Sequence, residues 1–79
     1  MLKKYQIILE GLENNVGYYI GFDVASNKKA HAINLALAKA KELGLTIVTV
    51  DEVNIGSTVS NITESKVIHT YGKVFFESP

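Results

Sequence analysis

Two histidines, eight carboxylates and four tyrosines are the groups in this 79-residue chain that could do chemistry. His31 and His69 form no H-x-H, H-x-x-x-H or H-E-x-x-H spacing, so a metal site would need carboxylates brought in from elsewhere. A lone histidine can also act as an acid or base. A small ligand-binding or enzymatic subunit would draw on His69, Tyr71 and a carboxylate. The acids Glu10, Glu13, Asp23, Asp51, Glu52, Glu64 and Glu77 are scattered. A glycosidase pair or a magnesium site requires two of them to converge. Asp51 and Glu52 are adjacent, and on a regular strand neighbours point to opposite faces. No G-x-S-x-G elbow surrounds any serine, and Gly11, Gly17 and Gly21 lack the spacing of a phosphate-cradling loop. The residues thus define no catalytic set, no cofactor site and no metal site. The carboxylates read as solvated groups or as contacts for a basic partner.

Residues 17–24 alternate glycine with aromatic side chains through Tyr18, Tyr19, Gly21 and Phe22. The pattern is similar to the RNA-stacking strand of an RRM domain. No basic residue precedes the glycine, and the second helix of that fold is missing. Strand aromatics chiefly pack. Lys28, Lys29, Lys39 and Lys41 occupy the polar side of a helical segment. All eight cations are lysine and the net charge is zero. Nucleic-acid recognition leans on the guanidinium fork, so a neutral, arginine-free chain is a poor candidate for it. The alternative of a small nucleic-acid binder would use the helix lysines and the sheet tyrosines. It would show steep salt dependence.

The elements that must position these groups follow from periodicity. Tyr5, Ile7 and Leu9 alternate with polar residues over 4–10, as in a half-buried strand. A second strand covers 18–24, with Tyr18, Ile20, Phe22 and Val24 on one face and Tyr19, Gly21 and Asp23 on the other. Residues 11–17 carry turn chemistry and suggest a hairpin loop of several residues. Ser26 or Asn27 is the expected N-cap of a helix running to Leu43, with a stripe of Ala30, Ile33, Leu37 and Ala40 and a C-cap at Gly44. Residues 45–53 are rich in β-branched side chains and read as a third strand. Residues 54–65 show no period and read as a long loop, pinned by Val59 and Ile62 as a short helical turn. Residues 66–77 are strand-like, with Gly72 marking a hairpin or bulge. The expected fold class is α+β, in the order β-β-α-β-β, a mainly antiparallel four-stranded sheet with one helix packed on one face.

The length suits one domain, in which a chain of this size buries roughly 60% of the surface its unfolded form exposes. With no cysteine, thiol chemistry, disulfides and zinc–thiolate sites are excluded. This leans toward a cytoplasmic location. Glu10 and Glu13 interrupt the apolar run behind Lys3 and Lys4, so no signal or membrane helix is expected. One helix covers one sheet face, and the other face is left as an interaction surface for a partner or for a homodimer.

The hairpin of residues 5–24, the helix entered through Val24, Ala25, Ser26 and Asn27 with its alanine repeat, the strand 47–53 and the terminal segment 72–77 carry a resemblance. In architecture the whole chain resembles small bacterial immunity or antitoxin proteins that bind and block a cognate toxin domain. The resemblance implies a non-enzymatic cytoplasmic inhibitor that covers or distorts the active site of a protein partner. Contacts would come from Glu10, Glu13, Asp51 and Glu52, from Tyr19 and Tyr71, and from the loop 54–65, since aromatic anchors and charge complementarity dominate such interfaces.

Overall fold

The structure, a computed structural model, describes residues 1–76. Glu77 and the end of the expected 66–77 strand lie outside the described residues. The elements are β1 (Leu2–Glu13), β2 (Val16–Ser26), α1 (Lys29–Glu42), β3 (Ile47–Val59), β4 (Lys66–Thr70) and β5 (Val74–Phe75). They form an α+β fold with one helix and an open antiparallel sheet in the order β3-β1-β2-β4, with β5 also paired to β2. The sheet has five strands rather than the expected four. Residues 66–75 form no hairpin. Both pieces add to the same edge of β2, interrupted at Tyr71–Lys73.

The β1–β2 hairpin turns in two residues, not over residues 11–17. Glu13 pairs with Val16, and Asn14 and Asn15 both take positive φ (50° and 65°). That is the twist a two-residue hairpin needs, and asparagine tolerates it better than most residues. The ladder then aligns Tyr5 with Val24, Ile7 with Phe22 and Leu9 with Ile20 on one face. All six are buried and pack with Tyr18 against Ala32, Ala36 and Ala40 of α1.

The helix stripe is therefore centred on those three alanines, with Ile33, Leu35 and Leu37 flanking it, and Ala30 is exposed. A methyl side chain lets the helix backbone approach the sheet, while the larger aliphatics fill the sides. Lys28, not Ser26 or Asn27, is the N-cap. Ser26 is fully buried, and its Oγ accepts the Lys28 N–H at 3.3 Å. The serine oxygen is thus spent on a local turn before the helix begins. At the other end Gly44 (φ +76°) donates to the Lys41 carbonyl, and Leu45 donates to the Ala40 carbonyl. This is a Schellman closure, with Gly44 in the left-handed conformation that glycine takes at least cost.

Strand β3 runs to Val59, six residues past the expected end, so the long loop shrinks to 60–65 and holds no helical turn. The β1–β3 register shifts three times, between Lys3 and Tyr5, between Ile8 and Leu9, and between Glu10 and Gly11. The first of these falls between Ile55 and Thr58 on β3 and breaks the inside–outside alternation there, so Asn54–Val59 shows no period in the sequence. The bulges also roughen the outer edge of β3, a common defence of an edge strand.

Candidate functional site

The face of β2 away from α1 reads Gly17, Tyr19, Gly21, Asp23. Two aromatic side chains from the following edge lie across the glycines. The backbone N–H of Tyr71 donates to the Gly21 carbonyl and that of Phe76 to the Gly17 carbonyl, both at 2.9 Å. A Cβ on Gly17 would stand 2.5 Å from the Phe76 ring, and one on Gly21 would stand 3.3 Å from the Tyr71 ring. The two glycines thus make room for the aromatics that cover them. Tyr19 lies between, with its ring centroid 4.6 Å from that of Phe76. His69 meets Tyr71 edge-on at 4.5 Å. Tyr19, Tyr71 and Phe76 all remain more than a third exposed. The result is an accessible aromatic strip along one sheet face.

A polar cluster adjoins it. The Tyr71 hydroxyl donates to Asp23 Oδ2 at 2.6 Å, and Lys4 Nζ stands 3.9 Å from the same oxygen. Asp23 is only 6% exposed, and its other carboxylate oxygen has no hydrogen-bond partner. A buried acceptor left unpaired costs free energy, so it is an informative feature. Beside it lies a cavity of about 240 Å³, lined by Lys4, Gln6, Asp23, Asn54, Gly56 and Tyr71 together with Ile55. Asn54 spans the neighbouring strands, donating to Gln6 Oε1 at 3.4 Å and to Glu52 Oε2 at 2.9 Å.

No family model matches this chain, and no curated protein or solved structure matches it. The geometry alone carries the functional argument.

Four of the six residues picked from the sequence share the open face. Glu10 pairs with Tyr19 across β1 and β2, Glu52 pairs with Ile8 across β3 and β1, and Tyr71 lies over Gly21. Asp51 is the extra residue at the Ile8/Leu9 register shift and is exposed, so simple alternation does not fix its direction. Glu13 sits at the hairpin end, where the Lys73 ammonium binds it while standing 5.2 Å over the Tyr18 ring. His31 stands instead at the helix start, with Nδ1 at 3.2 Å from the buried Ser26 Oγ. His69 and Tyr71 do converge with a carboxylate, that of Asp23. Among the described residues, no three His, Asp or Glu side chains are placed to hold a metal ion. No helix is long and apolar enough to cross a membrane.

Sequence reasoning gave no site role to Lys4, Gln6 or Phe76, placed Asn54 only within the contact loop 54–65, and took Asp23 only as one of the scattered acids. The one available signal was Asp23 itself, a carboxylate set between Phe22 and Val24 in the most apolar strand.

Two groups tie this region to pH. The hydrogen bond to Asp23, then burial and the carboxylate's charge, raise the Tyr71 pKa above the ordinary 10.0. The hydrogen bond to Glu13 raises that of Lys73 above 10.5. Both groups hold their protons more tightly folded than unfolded. Their contribution to stability is complete below the ordinary values and is lost as pH rises through the folded-state values. Thermal melts from about pH 9 to about pH 11.5 should show falling stability, and Tyr71→Phe should flatten part of that fall. An identical slope in the variant would show that the Tyr71–Asp23 bond contributes nothing.

Proposed function

We propose that the domain is a non-enzymatic binding module that seats one basic protein partner on its open sheet face, as an immunity protein seats the toxin it neutralises. Action in the cytoplasm belongs to the same proposal. The observation that carries it is the exposed strip of Tyr19, Tyr71 and Phe76 beside Glu10 and Glu52. Rigid aromatic side chains give large contact area at small entropic cost and serve as anchors. Among the described residues no lysine pairs with Glu10, Asp51 or Glu52, so these charges are available to a cationic surface. The molecule is also polarised. Lys28, Lys29, Lys39 and Lys41 belong to the helix layer, while Glu10, Glu52 and Asp23 lie on the other side of the sheet. Zero net charge conceals this division. The molecule measures 43 Å by 22 Å in its two longer dimensions, enough for a footprint of about 800 Å² per partner.

The same division weakens the nucleic-acid alternative. The helix lysines and the exposed tyrosines Tyr19 and Tyr71 lie on opposite sides of the sheet, while Tyr5 and Tyr18 are buried under the helix, so they form no single track for a strand.

The test is affinity capture from native lysate at low and high salt with three baits: wild type, a Tyr19→Ala/Glu10→Lys/Glu52→Lys variant, and a Lys29→Glu/Lys41→Glu control. The expected result is one stoichiometric basic protein held through high salt by wild type and control, and inhibited by both. The open-face variant should bind it at least about tenfold more weakly. Equal capture by all three baits would remove the open face from the interface. Recovery of nucleic acid that washes off with salt would favour the alternative.

A further inference from the structure

We infer that the cavity beside Asp23 receives one guanidinium group, the side chain of an arginine presented by the protein partner. This rests on the open-face reading above and makes its chemistry specific. The cavity's hydrogen-bonding inventory is lopsided. Asn54 spends its amide hydrogens on Gln6 and Glu52, leaving its carbonyl oxygen as an acceptor. Tyr71 spends its hydroxyl hydrogen on Asp23, leaving its lone pairs. Asp23 keeps an oxygen with no partner at all, in a side chain only 9% exposed. Against these acceptors stand the Gln6 amide and the Lys4 ammonium. Of the lining residues only Asp23 and Lys4 are charged, so displacing the loosely held Lys4 ammonium leaves the Asp23 carboxylate as the lining's net charge. Such a site selects a cation rich in donors.

Between the two cationic side chains, the geometry favours arginine. Guanidinium is planar, carries five donors, is weakly hydrated and stacks on aromatic faces. The half-exposed Tyr71 ring borders the cavity and supplies that face. The Lys4 ammonium, 3.9 Å from Asp23 and on a side chain 46% exposed, is a loose, mobile partner that a guanidinium displaces. These 79 residues contain no arginine, so the group comes from outside this domain.

The experiment is an amide-resolved NMR titration of the isolated domain with N-acetyl-arginine amide and, in parallel, with the neutral citrulline counterpart. Arginine should shift the amides of Gln6, Asp23, Asn54 and Gly56 saturably, and citrulline should bind at least about tenfold more weakly. Lys4→Met should tighten arginine binding by about threefold, because it removes the competing cation. Tyr71→Leu should weaken it by a similar factor through loss of the aromatic wall. Both substitutions are at solvent-exposed positions, so the test stands even if Asp23→Asn fails to fold. No saturable shift, an equal response to citrulline, or weaker binding in Lys4→Met would overturn the assignment. No partner is needed for this titration, so the two readings fail separately. A null titration with Tyr19-dependent capture removes the pocket alone, and arginine binding with capture indifferent to Tyr19 removes the partner face alone.

Discussion

Phe22→Ala is expected to destabilise the domain by about 3–5 kcal/mol, the range for deleting a buried aromatic side chain. Phe22 has no exposed surface. It faces Ile7 on β1, borders Thr70 on β4 and lies in the layer closed by Ala32, Ala36 and Ala40. The helix side of this layer is built from methyl groups, which cannot swing in to fill the void. Domains this small sit near the lower end of the usual ~5–15 kcal/mol, so the variant should be substantially unfolded at ambient temperature. Phe76→Ala is the contrasting case. Phe76 is 36% exposed and lies on the opposite side of the sheet over Gly17. Its loss should cost less than about 1.5 kcal/mol, mainly its contact with Tyr19. Urea unfolding followed by circular dichroism reads both. Similar losses would mean that the open-face strip is part of the core and not a surface held for a partner.

That contrast also marks what was legible in the sequence. Tyr5, Ile7 and Leu9, and then Tyr18, Ile20, Phe22 and Val24, alternate without interruption, and their ladder is regular, so the buried face could be read residue by residue. The helix was legible for a similar reason, with Gly44 stopping it. Its buried stripe was harder, because in an alanine-rich helix the residues nearest the sheet are the smallest and carry the weakest hydrophobic signal. β3 was legible over 47–53 from its β-branched side chains, although two of its three bulges fall there, and beyond Val53 the polar, small residues and the remaining shift between Ile55 and Thr58 hid it. Each bulge moves the following residues to the other face, so Asn54 and Glu52 gave no hint that they meet Gln6 and Ile8. The candidate site depends on such long-range placements. Tyr71 and Asp23 lie 48 residues apart, and nothing local links them. Gly17 and Gly21 could be read as turn residues or strand breakers. Their role emerges only when Phe76 and Tyr71 are seen lying across them.

A glycine on the buried face of β1 makes a sharper case. Gly11→Ala should destabilise the domain by about 1–3 kcal/mol, although alanine in place of a strand glycine is ordinarily neutral to favourable. Gly11 pairs with Tyr18, and a Cβ added there would meet two ring carbons and the hydroxyl oxygen of Tyr18, the nearest at 2.3 Å. The ring cannot step aside cheaply. It is 1% exposed, meets Phe75 edge-on at 5.6 Å and lies under the Lys73 ammonium. Moving it would disturb the short β5 pairing that carries Phe76 onto the open face. A double-mutant cycle with Tyr18→Val isolates the cause. Gly11→Ala should be neutral or stabilising once the ring is gone, giving an interaction term above about 1 kcal/mol. The same cost in both backgrounds would show that the ring does not set the penalty. Gly72→Ala supplies the control, since a Cβ there meets nothing within 4 Å and should leave stability nearly unchanged. If Gly11→Ala also weakens partner capture without touching the open face, then β5 is the mechanical link between the core and the aromatic strip.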